Sequence, residues 1–214
     1  MRIFESKLDF YTQKAKEEGY AARSVYKLQE IDQKFQVFKI EDKVLDLGCS
    51  PGSWLQYLSK VVGKTGRIVG IDIEDLMVSL PASNASGVAN AGWPNNAIFV
   101  KKDVLAEDFF ELDCLQERYN AVISDLAPHT SGMKDKDVAG SLELGERALE
   151  IAKKALIEGG WLVCKVFEGA GVDDFVKKVE QYFEVVKRFK PKAIKKGSRE
   201  FYMVAKGYKK LGLC

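Results

Sequence analysis

The sequence is poor in metal-ligating and cross-linking side chains. It has one histidine, His129, and four scattered cysteines, Cys49, Cys114, Cys164 and Cys214, with no C-x-x-C pair. Neither a zinc site nor a disulfide framework is expected from such spacing, and no metal is assigned. Long apolar runs are also missing, so no segment can span a bilayer and no membrane association is expected. The first ten residues, MRIFESKLDF, lack the basic-then-apolar layout of a secretory signal and carry acids that a transit peptide avoids. A reduced, cytoplasmic protein is the expectation. Excess charge of one sign is absent as well, since 33 basic residues face 31 acidic ones. What remains is 214 residues with 46% hydrophobic content, enough for one domain with a sizeable core.

Apolar β-branched runs alternate with helical stretches, the pattern of a doubly wound α/β fold with a mostly parallel sheet. Seven strands are predicted, at Lys43–Leu47, Arg67–Asp72, Ala97–Lys101, Asn120–Asp125, Gly160–Val166, Phe183–Phe189 and Glu200–Lys206. Helices are predicted over 21–36, 53–62, 104–117, 140–157 and 172–181. The last two strands leave no room for a crossover helix, so they should pair antiparallel, at an edge or inserted in the sheet.

The first strand breaks into small residues in VLDLGCSPGSW, from Val44 to Trp54. Gly48 and Gly52 allow a sharp turn and close ligand approach, and the following helix, starting near Ser53 and Trp54, aims unpaired N–H groups at the same place. The loop lacks the third glycine of dinucleotide sites and the lysine of phosphate loops. Instead, Asp46 stands two residues before Gly48, where it can face a cation. S-adenosylmethionine carries an amino group and a sulfonium. An ordinary strand-turn-helix junction is the alternative.

Three more carboxylates fall at or just past strand ends, where ligands of such sheets lie. Asp72 ends the second strand and is the candidate for ribose hydroxyls. Asp103 follows the third, either receiving an adenine amino group or capping the helix expected from Val104. Asp125 ends the fourth, near the cofactor's reactive end, or else initiates the turn before Pro128. The run from Leu80 to Asn96 is small, polar and turn-forming, and reads as a long loop with no assigned function, Trp93 included.

Lys165 closes the apolar strand WLVCK. It either snorkels to solvent or joins Lys27, Asp125 and Glu200 in a cluster able to bind a hydroxyl and help remove its proton. The charge map adds a basic tail. From Lys187 to Lys210 Glu200 is the only acid among ten cations, and Arg23 and Lys27 form a second basic group near the start. The tail is either a solvated face or, if the two groups meet, a surface for a phosphate backbone.

With these residues in hand, the chain resembles the FtsJ/RrmJ family of ribose 2′-O-methyltransferases from about Tyr11 to Lys206. The family's lysine, aspartate, lysine and glutamate tetrad falls on Lys27 in RSVYKL, Asp125 in SDLAP, Lys165 in CKVF and Glu200 in SREFY. The resemblance also assigns Gly52, Trp54, Asp72, Asp103 and Asp125 to S-adenosylmethionine. Cys49, Ser50 and Ser53 depart from the Ala or Gly more usual in the bacterial pattern, and the 81–96 stretch lengthens a usually tighter connection.

The resemblance implies a single methyltransferase domain over 1–214, with 1–40 as a helical, RNA-facing extension and 41–206 as the catalytic core. It implies in-line attack of a ribose 2′-oxygen on the methyl of S-adenosylmethionine. Lys165 is the central catalytic residue, either as a neutral base or as a charged stabiliser of the alkoxide. RNA follows from the 2′-hydroxyl, which DNA lacks. Arg23, Lys192, Lys195, Lys196 and Arg199 would then hold phosphates. The favoured substrate is a uridine of large-subunit ribosomal RNA within the ribosomal particle. Transfer RNA is the runner-up, ahead of a catalytically silent assembly factor.

Overall fold

The computed structural model describes residues 9–77 and 95–210. Seven strands, β1 (Lys43–Leu47), β2 (Arg67–Asp72), β3 (Ala97–Lys101), β4 (Tyr119–Ser124), β5 (Leu156–Phe167), β6 (Phe183–Phe189) and β7 (Glu200–Tyr208), form one sheet. Their spatial order is β3-β2-β1-β4-β5-β7-β6. The first five pair in parallel. β7 inserts between β5 and β6, antiparallel to both, which leaves β6 as the edge. The expected antiparallel ending is therefore present in its inserted form.

The helices are α1 (Phe10–Glu17), α2 (Val25–Phe35), α3 (Ser53–Val62), α4 (Lys134–Ala155) and α5 (Val172–Glu180). Side-chain parity sorts each strand between two layers, because successive residues face opposite sides. Leu45, Val122 and Cys164 join the cluster packed with α4 and α5, whereas Val44, Ile123, Val163 and Tyr202 join the one packed with α2 and α3. Asp46 and Lys165 share the parity of Val44 and Val163, which directs both polar side chains toward the α2 and α3 side.

The helix expected from 21 starts at Val25, the strand expected from Gly160 starts at Leu156, and β4 and β7 shift by one or two residues. Three differences are larger. α1 has no counterpart among the expected helices; it is short, and Asp9 caps it by accepting from the Tyr11 and Thr12 amides. α4 begins at Lys134, before the expected 140. The helix expected over 104–117 is replaced by two 3₁₀ turns, Glu107–Glu111 and Asp113–Gln116. Arg147 on α4 supplies a reason: its guanidinium donates to the Val104 carbonyl (2.6 Å) and the Ala106 carbonyl (3.3 Å), taking acceptors an α-helix would need. Most of the 80–96 loop, with Trp93, lies outside the described residues, as does Cys214.

Candidate active site

β1 is flanked by β2 and β4, so the strand order reverses there and a crevice opens past the carboxyl ends of these strands. Gly48 and Gly52 adopt φ of 79° and 107°, conformations that side chains with a Cβ rarely accept. A Cβ on Gly48 would also lie 3.0 Å from the Leu126 backbone nitrogen. Glycine there lets the loops after β1 and β4 close on each other, and the Asp125 amide donates to the Leu47 carbonyl across that junction at 3.1 Å.

Asp46 is fully buried, and neither carboxylate oxygen has a hydrogen-bond partner among the described residues. Burial, reinforced by the neighbouring Asp125 and Asp72 charges, pushes its carboxyl well above the usual range. Such a group calls for a cation or a strong donor. Asp72 is better satisfied, accepting from the Ser50 amide (2.8 Å) and the Glu74 amide (2.9 Å) at the crevice rim. Asp103 is exposed and accepts from the Leu105 amide (2.9 Å), so it caps a turn rather than a helix. Asp72, Asp103, Val104, Leu126 and Pro128 line a largely apolar cavity of about 240 Å³. This arrangement fits S-adenosylmethionine: an unpartnered carboxyl near the glycine loop that a bound cation would draw into its ionised form, and an apolar slot with carboxylates at its edge.

The four charged residues of the expected tetrad come together from α2, the loop just past β4, β5 and β7. Lys165 Nζ donates to the Asp125 backbone carbonyl (2.5 Å) and lies 3.1 Å from Asp125 Oδ1. Lys27 Nζ lies 2.7 Å from Glu200 Oε1. Burial alone would raise the Asp125 carboxyl, but the Lys165 and Lys27 charges and a hydrogen bond from Tyr202 outweigh it and hold the group below its ordinary value. Lys165 does not snorkel: it is only 7% exposed, so its charge is spent inside the protein.

Tyr202 was not singled out from the sequence. Its hydroxyl donates to Asp125 Oδ1 at 2.6 Å, its ring packs 6.0 Å from that of Trp54, and burial pushes its phenol well above the ordinary range. The available signal was parity: Tyr202 lies two residues past Glu200 on one strand, and therefore on the same face.

Trp54 and Ser53 work mainly toward α2. The Trp54 indole donates to the Ser24 carbonyl (2.9 Å), and the Ser53 and Ser24 hydroxyls are 2.9 Å apart. These bonds seat the start of α2 on α3 and so bring Lys27 into the site. The loop from Pro191 to Arg199 is seated in a similar way. Glu30 accepts from the Lys192 and Ala193 amides (2.7 and 2.8 Å), and Arg23 donates to the Ala193 carbonyl (2.5 Å) while pairing with Asp9. The two basic groups of the sequence thus meet. Arg23 is largely engaged by these partners, whereas Lys192, Lys195 and Lys196 are exposed and Arg199 is half-buried. Arg23, Lys27, Lys195 and Glu200 line a cavity of about 330 Å³ that opens beside the ion pairs.

Among the described residues no cluster of His, Cys, Asp or Glu could hold a metal ion, and no helix is long and apolar enough to cross a membrane.

Comparison with known proteins gives a consistent result. The sequence profile of FtsJ-like methyltransferases matches residues 20–208. A ribosomal RNA large subunit methyltransferase E from Desulforapulum autotrophicum is 44% identical over 201 residues, covering 94% of this chain and 93% of that protein. The protein of the same name from Bdellovibrio bacteriovorus is 41% identical over 202 residues, with 92% and 94% covered. A solved structure described as a ribosomal RNA methyltransferase, from Plasmodium falciparum, superposes with a TM-score of 0.71 at 26% identity, over 88% of this chain and 98% of that one.

Proposed function

Because this chain belongs to the FtsJ-like methyltransferase family, we propose that it methylates a ribose 2′-hydroxyl of RNA, most specifically a uridine of large-subunit ribosomal RNA. S-adenosylmethionine, when bound, supplies an electrophilic methyl group on a sulfonium that leaves readily. The observation that carries the reading is the pairing of Lys165 with Asp125 and of Lys27 with Glu200 beside the glycine loop.

Each part of the site has work to do in such a transfer. Asp46 and the N–H groups opening α3 offer opposite charges to the amino and carboxylate ends of the donor. Asp72 and Asp103 take its hydroxyl and amino donors, and Val104 and Leu126 flank the apolar slot. Lys165 has two of its tetrahedral directions fixed by Asp125, which leaves a third for the incoming ribose oxygen. Through that direction it either accepts the 2′-hydroxyl proton or donates to the developing alkoxide. Asp125, held ionised, keeps Lys165 aimed. Lys27 and Glu200 present a donor and an acceptor at the mouth of the 330 Å³ cavity, where the acceptor ribose is oriented. Lys192, Lys195, Lys196 and Arg199, with Arg23 behind them, provide the phosphate-binding rim, so affinity should fall steeply with salt.

The test is transfer of labelled methyl from S-adenosylmethionine to large ribosomal subunits, naked ribosomal RNA, transfer RNA or small metabolites, followed by nuclease digestion. Label recovered as a 2′-O-methylated nucleoside of large-subunit RNA is the expected result. Label on a base, on transfer RNA alone or on a metabolite overturns the assignment, and no transfer at all favours an assembly factor.

A further inference from the structure

A second groove, of about 440 Å³, lies along α2 next to the catalytic ion pairs, between α1, α2 and the end of β6. Its walls carry the rings of Tyr11, Tyr26 and Phe189 and the ammonium groups of Lys14, Lys34 and Lys192. We propose that this groove binds a single-stranded RNA segment flanking the target nucleotide, with a base stacked against Tyr11 or Phe189 and the lysines on phosphates. The proposal rests on the RNA reading above and extends it to a surface outside the active site.

Three observations support it. The first is charge. Lys34 Nζ stands 4.4 Å from the centre of the Phe189 ring and is kept at the groove by that aromatic face, while Lys14 Nζ lies 4.6 Å from the Tyr26 ring centre and 3.7 Å from Glu18 Oε1. Among the lining residues three lysines face one carboxylate, Glu30, whose oxygens are turned to the Lys192 and Ala193 amides, so the lining stays net positive even with Glu18 beside Lys14. The second is composition. Alternating rings and lysines match a flexible polyanion with π-faces, whereas an apolar helix docked there would bury three ammonium groups. The volume accepts a splayed base but no duplex. The third is continuity. Lys27 and Ala193 line the acceptor cavity, and their immediate neighbours Tyr26 and Lys192 line this groove. Arg23 bridges the two, pairing with Asp9 while its guanidinium lies 5.3 Å from the Tyr11 ring centre.

The experiment compares the full chain with its Lys34→Glu and Tyr11→Ala variants. Affinity for a labelled single-stranded RNA of about twenty nucleotides is followed across a salt series, and methyl transfer to large ribosomal subunits is measured in parallel. Lys34→Glu should weaken the oligonucleotide about tenfold and lower the salt slope by about one. Tyr11→Ala should weaken it by about tenfold or more through lost stacking. Transfer to subunits should show a raised KM at near-constant kcat. Lys34 is exposed, so its variant keeps the test valid if Tyr11→Ala fails to fold. Equal oligonucleotide affinity for the wild type and both variants overturns the groove even where methyl transfer is robust. The same equality with weaker binding of intact subunits assigns the groove to a ribosomal protein instead, and also overturns it. A wild type that binds RNA with a Lys34-dependent affinity but methylates none supports the groove and sinks the catalytic reading. A wild type that binds no oligonucleotide overturns the groove, while the catalytic reading stands or falls on methyl transfer to the subunits.

Discussion

Lys165 and Tyr202 are cross-strand partners in the antiparallel β5–β7 pair, and both reach the same oxygen of Asp125, Nζ at 3.1 Å and the phenol at 2.6 Å. An antiparallel strand inserted beside β5 thus supplies a second anchor for a carboxylate that β4 delivers. The depressed carboxyl of Asp125 has a direct consequence for pH. A group whose folded value lies below its unfolded one contributes its stability fully above about pH 4 and loses it as pH falls through the folded value. Asp125 therefore stays ionised through the neutral range, and another group governs any pH dependence of turnover there.

Replacing Lys165 with Ala should lower methyl transfer by about 10²–10⁴-fold or more while leaving S-adenosylmethionine affinity close to wild type. The same change leaves the largely buried Asp125 carboxylate without its nearest cation, though Tyr202 and Lys27 remain, at a cost of about 2–4 kcal/mol in stability. Adding Asp125→Asn to Lys165→Ala should recover part of that stability and none of the activity. Calorimetric cofactor titration, denaturant melts and labelled-methyl assays separate the three effects. Near-normal turnover in Lys165→Ala would falsify the central role.

Tyr202→Phe keeps the ring against Trp54 and removes only the hydroxyl that Asp125 accepts. Lys165 and Lys27 remain, so turnover should stay within about tenfold of wild type, and stability should fall by about 1–2 kcal/mol. With one stabilising contact gone, the folded Asp125 value moves up toward the ordinary one. Acid unfolding should therefore begin at a higher pH in the variant. A set of denaturant melts between pH 3 and pH 7 reads this, and coincident acid limbs for the two proteins would remove Tyr202 from the network.

Much of this was legible in the sequence because strands announce themselves by composition. All seven strands were anticipated, β1, β2, β3 and β6 with their bounds unchanged, as was the glycine loop between β1 and α3. The cluster of Lys27, Asp125, Lys165 and Glu200 was one of two readings of Lys165, sharpened by the resemblance, and the structure places the four side chains near one another. What stayed hidden depends on long-range partners. The segment after Asp103 carries helix-forming residues, yet Arg147 captures its carbonyls from about forty positions away in the chain. Trp54 looked like a cofactor residue, and its indole is spent on Ser24, thirty residues upstream. Arg23 looked free for phosphate, and it holds Asp9 and the Ala193 carbonyl. Periodicity reports which face is buried and says little about which distant group a polar side chain will meet.

Asp46→Asn should reveal a conflict between stability and binding. In the folded protein its carboxyl is raised by burial and by Asp125 and Asp72, so the folded state binds a proton more tightly than the unfolded one. Stability from this group is then fully present below about pH 4 and is lost as pH rises toward the folded value. Asparagine removes that penalty. The ligand-free variant should melt about 2–4 °C higher at pH 8 for each kcal/mol recovered, with little gain at pH 4. Losing the anion should weaken S-adenosylmethionine by about tenfold or more. Proton release on cofactor binding, measured calorimetrically in two buffers of different ionisation enthalpy, should be seen in the wild type and disappear in the variant. Equal proton release in both proteins, or unchanged affinity, would detach Asp46 from the donor site.

Arg147 should control cofactor affinity without touching the cofactor. From α4 it donates to the carbonyls of Val104 and Ala106, and its guanidinium lies 4.4 Å from the centre of the Phe110 ring. Val104 and Leu105 form one wall of the 240 Å³ slot, so the planar fork fixes the shape of that wall. Arg147→Ala frees two carbonyls and lets the segment from Asp103 to Glu111 relax, which should raise the Kd for S-adenosylmethionine about tenfold with kcat nearly unchanged at saturation. Arg147→Lys should rescue little, because a single ammonium on a flexible stem cannot reproduce both bonds and the stacking. Amide hydrogen exchange should speed up across Asp103–Glu111 in both variants and slow again when cofactor is added. Unaltered exchange there, or a Lys variant that binds like wild type, would show that the wall holds its shape without the guanidinium.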